Sequence, residues 1–166
     1  MSASQRIRTL SPLAAAVFMA AVFASSRPAF ARAQANTGKG KLFAQKLVED
    51  THVKHPETDE VGISAMTSRG CVGIASTDKS DIGEKCEKDD AEPMRTGQPF
   101  VEKEKDGFDV SLPLHDSAGK IIGTAGIGFK LGVGQTEASV TRQAQKIVSE
   151  MEAQIHSKSD LLKAAQ

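Results

Sequence analysis

The sequence predicts an α+β domain, in which an antiparallel five-stranded sheet is flanked by an N-terminal helix and a long C-terminal helix. Three observations predict it. Short apolar segments recur between tight turns from Val61 to Lys130. In one of them Phe108, Val110, Leu112 and Leu114 alternate with Asp109, Ser111 and Pro113, the two-residue period of a half-buried strand. Both ends of the region carry apolar residues at helical spacing. Helix, hairpin, long polar crossover, three strands and helix, in that order, suit helices packed on an antiparallel sheet.

Each element has its own signal. Residues 41–55 read as the first helix, with Phe43, Ala44, Leu47 and Val48 on one face and Pro56 as the stop. Residues 61–68 and 71–77 read as strands joined by a turn at Arg69-Gly70. Residues 78–96 are polar, with breaks at Gly83 and Pro93 and a short helix around 89–95. Gly97-Gln98-Pro99 leads into a third strand at 100–104, Asp106-Gly107 into a fourth at 108–114, and the turn at 116–119 into a fifth at 120–130. Residues 136–157 read as a long helix with Val140, Ala144, Ile147, Met151 and Ile155 on one stripe. That stripe packs either on the protein's own core or against a second helix in a coiled coil.

The first 31 residues are different in kind. Arg6 and Arg8 precede an apolar run of 12 residues from Leu13 to Ala24, and Ala29-Phe30-Ala31 offers small residues for cleavage. This is the pattern of a secretory signal peptide, too short for the ~20 residues of a spanning helix. Cleavage follows Ala31 or, alternatively, Ala35. The reading is therefore a signal peptide at 1–31, a flexible lead-in at 32–40, one domain at 41–157 and a tail at 158–166, located in the periplasm or outside the cell. Three of the 21 basic residues and none of the 21 acidic ones lie in the leader, leaving 18 basic against 21 acidic. No basic surplus remains for a phosphate backbone, which argues against nucleic acid as a partner. Cys71 and Cys86 are the only cysteines. They either form a disulfide, which an oxidising compartment permits, or remain two thiols.

Several segments in order resemble a known family. Gly70-Cys71-Val72-Gly73-Ile74-Ala75-Ser76-Thr77-Asp78 followed by Asp81-Ile82-Gly83 resembles the second strand and exit loop of Cache domains, the extracytoplasmic PAS-like sensor modules of bacteria. Thr96-Gly97-Gln98-Pro99-Phe100-Val101 is similar to their third-strand entry. Val110-Ser111-Leu112-Pro113-Leu114-His115-Asp116 and Gly119-Lys120-Ile121-Ile122-Gly123 are similar to their closing strands. The resemblance implies a stand-alone single Cache domain with a PAS-like sheet and a small-molecule ligand, small organic acids being the commonest class. The Tyr and Trp of amino-acid-binding members are absent from this chain, so that motif is not carried over.

A ligand fits best between the sheet and the long crossover. Candidate contacts are the hydroxyls of Ser76, Ser111 and Thr124, the crossover residues Asp90 and Met94, and the cations Lys79, Lys85 and Arg95, which suit a carboxylate. His52 and His55 stand three apart on a helix, a spacing that lets both reach one metal, but no third ligand follows at a zinc spacing. No nucleophile elbow, haem attachment or phosphate loop is present. The glycines at 123, 126, 128, 132 and 134 read as places where the first or last helix lies close across the sheet. The expectation is a non-catalytic, exported sensor-type module without cofactor or metal, reporting to a membrane-bound receptor. A second class is a scaffold that associates through its C-terminal helix and has no ligand. A third is an envelope enzyme or metal carrier built on the two histidines.

Overall fold

A computed structural model of the protein describes residues 41–165. The expected signal peptide at 1–31 and lead-in at 32–40 lie outside the described residues. The elements are α1 (Phe43–Lys54), β1 (Thr58–Thr67), β2 (Gly70–Ser76), α2 (Lys88–Thr96), β3 (Phe100–Lys103), β4 (Gly107–His115), β5 (Ile121–Lys130), α3 (Glu137–Glu152) and α4 (Lys158–Leu161). The strands form one antiparallel sheet in the order β2-β1-β5-β4-β3. The chain adopts the predicted α+β class and the predicted order of elements along the sequence. β1 starts three residues before the expected Val61, because Thr58 and Glu60 pair with β5 although the segment lacks apolar alternation. Pro93, read as a break, lies inside α2.

Period-two alternation gives the sheet two unlike faces. Phe108, Val110, Leu112 and Leu114 lie opposite Phe129, Ile127, Ala125 and Gly123 of β5, and Val61 and Ile63 continue this face on β1. The side chains bury against Ala44, Leu47 and Val48 of α1 and Val140, Ala144, Ile147 and Met151 of α3 in one core. The predicted α3 stripe is thus taken up within the molecule. Self-association through that stripe is corrected accordingly, since only the polar outer side of α3 is left for another protein.

The C-terminus departs from expectation. α3 ends at Glu152, and tighter turns (Gln154 N–H to Met151 O, Ile155 N–H to Glu152 O) still carry Ile155 into the core. The residues expected as a tail then dock. Leu161 is fully buried, Ala164 bridges to Leu42, and Phe43 N–H donates to Lys163 O at 2.8 Å. The burial of Leu161 holds the chain end against the start of α1.

The other face is crossed by the β2–β3 connection. β2 and β3 are the two edges of the sheet, so a chain joining them must traverse its full width. The connection first turns back along β2. Gly73 N–H donates to Glu84 O (3.0 Å), Cys86 N–H to Cys71 O (3.2 Å), and Val72 bridges to Lys85. Cys71 and Cys86 form a disulfide with a Cα–Cα distance of 5.3 Å. The return run also covers backbone groups that an edge strand would otherwise expose. α2 then packs over β5 and β4. The Thr124 hydroxyl donates to Asp90 O at 2.6 Å and fixes the helix to the sheet.

Candidate functional site

Strand register decides what lies beneath α2. Glu60, Gly128 and Asp109 form one row across β1, β5 and β4; Gly62, Gly126 and Ser111 form the next; Ser64, Thr124 and Pro113 the third. All face away from the core. The middle row has almost no side chains, so a cavity of about 260 Å³ opens between sheet and crossover. Its floor includes Gly62, Gly126, Gly128, Ser64 and Ser111. A Cβ built on Gly126 meets only the Ser111 hydroxyl oxygen, at 3.9 Å, and one on Gly62 meets nothing nearer than Ala75 O at 3.7 Å. Gly62 and Gly126 therefore hold space open, whereas a Cβ on Gly128 would press on Asp109 Oδ1 at 3.2 Å and Glu60 Cβ at 3.3 Å. α1 and α3, expected across them, cover the opposite face, because the apolar rows face that way. α2 lies over the glycine face instead.

The walls are acidic. Glu60 and Asp109 rise from the strands, Asp81 and Glu84 come from the crossover loop, and Glu87, Asp89 and Asp90 from the start of α2, with Lys85 as the one cation in the lining. Burial, followed by a hydrogen bond with Asp81, pushes the Glu60 carboxyl up to about 7, against the pull of the Ser76 hydroxyl. Burial likewise raises Asp90, which the Ser64 hydroxyl partly offsets. Asp109 is raised by lost hydration first, then by Glu104 and Asp89. The strongest charge effects on all three come from other acids.

Ser111 is the other distinctive group. It is 4% exposed, it lines the cavity, and its hydroxyl has no hydrogen-bond partner among the described residues. The hydroxyl faces the cavity space and is not shut away from it, so it is open to a bound molecule.

The sequence-predicted residues separate into three sets. Ser111, Asp90 and Lys85 line the cavity. Ser76 and Thr124 are buried beside it, with their hydroxyls engaged: Ser76 reaches Glu60 (3.0 Å) and Asp81 (3.1 Å), and Thr124 holds α2. Lys79, Met94 and Arg95 are not in the lining; Lys79 is exposed, and Arg95 pairs with Glu92 at 2.5 Å. Only one of three expected cations reaches the cavity, which corrects the carboxylate-binding arrangement. Sequence reasoning missed Glu60, Asp81 and Asp109. Asp109 was within reach, since it is two residues from Ser111 on the same strand. His52 and His55 do not converge. His52 Nδ1 bonds the Thr58 hydroxyl (2.9 Å), and His55 Nε2 bonds Glu150 (2.9 Å).

No protein-family model matches the chain, and no curated protein matches it in sequence. Solved structures do. The chain is similar to the A. aeolicus nlh2 GAF domain in an inactive state, with 14% identity and a TM-score of 0.52 over 78% of this chain and 89% of that one. It is similar to the Agobacterium tumefaciens repressor BlcR, with 10% identity and a TM-score of 0.51 over 77% and 73%. The E. coli DcuS sensor domain has 21% identity and a TM-score of 0.41 over 61% and 71%. The first two place the chain in the PAS/GAF type of fold; at such identities the fold is what is shared.

Proposed function

We propose that this chain is an exported, non-catalytic sensor-type module that binds a small molecule between its sheet and its crossover, and that presents the bound state to a membrane-bound receptor. The cavity carries the reading: an open glycine floor, a Ser111 hydroxyl that faces the cavity, and a roof fixed by a disulfide and by the Thr124–Asp90 bond. The GAF domain among the similar structures supports the same type of role. Export is supported by the leader pattern of residues 1–31 and by the Cys71–Cys86 bond, which persists in oxidising compartments. The organic acid suggested by the Cache resemblance fits poorly, since it would enter among seven carboxylates and one lysine.

The test is a thermal-shift screen of the exported protein against neutral, anionic and cationic metabolites, alongside Gly126→Leu, whose side chain fills the floor. A ligand should raise the wild-type midpoint and leave Gly126→Leu unmoved. Mass spectrometry should find the chain starting at Arg32 or Asn36. An intact Met1 with free thiols contradicts export, and a shift of equal size in Gly126→Leu contradicts the site.

A further inference from the structure

The cavity holds more negative charge than the protein itself answers. The backbone positions of Glu60 and Asp109 flank Gly128, two strand spacings or about 10 Å apart across the sheet, and their side chains close in over it, Asp109 Oδ1 and Glu60 Cβ lying 3.2 and 3.3 Å from where a Gly128 Cβ would sit. Ser111 lies in the adjacent row, on Asp109's side, with its hydroxyl unused. Three features choose among the cations that could enter. Among the described residues no group of three His, Cys, Asp or Glu is placed to hold a metal ion, although Glu60 and Asp81 are in contact. Two anionic groups with a hydroxyl oxygen beside one of them suit a molecule with more than one N–H donor. A volume of about 260 Å³ admits a small metabolite and little more.

We propose that the cavity selects a short organic cation with N–H donors, a diamine or an alkyl guanidine, with Glu60 and Asp109 as the anionic poles and the Ser111 hydroxyl accepting beside Asp109. This rests on the cavity being the ligand site. No covalent step is involved. The ammonium or guanidinium replaces its water shell with carboxylates whose own hydration the fold has already reduced. Binding is linked to a proton. The charged groups facing Glu60 are Asp81 from the crossover loop and Asp109 from β4, with Lys85 and Asp90 on the roof. A cation displaces the proton that Glu60 holds against Asp81, so binding strengthens as pH rises through about 7.

The experiment is calorimetric titration of the exported protein with 1,4-diaminobutane and with agmatine, at pH 6 and pH 8, against succinate and calcium chloride at matched ionic strength. The diamine or agmatine should bind, roughly tenfold more weakly at pH 6 than at pH 8. Asp109→Asn should lose at least tenfold in affinity while its ligand-free midpoint is unchanged or higher, and Ser111→Ala should bind more weakly than wild type. Succinate or calcium binding as tightly as the amines overturns the proposal, as does amine binding that Asp109→Asn leaves intact. If succinate binds and Gly126→Leu abolishes this, the cavity remains the site and only the ligand's charge is wrong. If none of the four probes binds, the cation proposal fails outright, and the broader metabolite screen decides for the cavity itself.

Discussion

Glu60 shares its surroundings with Asp81 and the Ser76 hydroxyl, and its raised carboxyl has a consequence for stability. Between its ordinary value of 4.5 and about 7, the folded protein keeps a proton that the unfolded chain releases. The stabilisation this gives is complete below 4.5 and is lost as pH rises through about 7. Glu60→Gln should therefore flatten the decline in thermal midpoint between pH 5 and pH 8, and melts of both proteins across that range check it. A parallel decline in the variant would contradict the account. Glu150 behaves in the opposite sense. Lys54 first, and then His55, lower it to about 2, so its contribution is present above 4.5 and is lost as pH falls from there through about 2. At this scale the sequence was partly legible. Ser111 follows from strand alternation, and Asp109 follows from the same rule. Glu60 does not, because Thr58-Asp59-Glu60 has no apolar period and becomes strand only by pairing with β5.

The crossover governs the site at the level of elements. Its first half is bound to β2 by backbone hydrogen bonds and the Cys71–Cys86 disulfide, and its second half rests on β5 through Thr124. Cross-linking residues 15 apart restricts the unfolded chain by about 3 kcal/mol. The double variant Cys71→Ser/Cys86→Ser should lose stability of this order in urea unfolding. Wild type in reducing agent should match it, and no loss in either would show that the bond does not hold the roof. The strands and the terminal helices could be read from their periods within a few residues. The placement of the crossover could not. Its polar composition has no period, and which face it crosses depends on the apolar rows of β1, β4 and β5 having claimed the other. The docking of residues 158–165 was missed for a similar reason, since one buried leucine, Leu161, anchors a short polar stretch.

As a whole, the molecule is asymmetric across its sheet. One face is closed by α1 and α3 over a continuous apolar core. The other has glycines where the core face has Ile and Ala, and carboxylates around them. Lost hydration first, and then repulsion from neighbouring acids, disfavours the charged forms of Glu60, Asp90 and Asp109, a cost the proposed ligand site would explain. Fold class emerged from local periods. The charge of the site did not, because it is assembled from β1, the crossover loop, α2 and β4, and exists only once the register brings them together. The central claim, that this face is where a small molecule binds, is tested most directly by NMR titration of isotopically labelled protein with 1,4-diaminobutane at pH 8. The account predicts saturable shifts in the amides of Gly62, Ser111, Gly126 and Gly128 and along residues 81–90, with α1 and α3 unmoved. Shifts confined to the outer faces of α1 or α3, or none on the glycine floor, would contradict it.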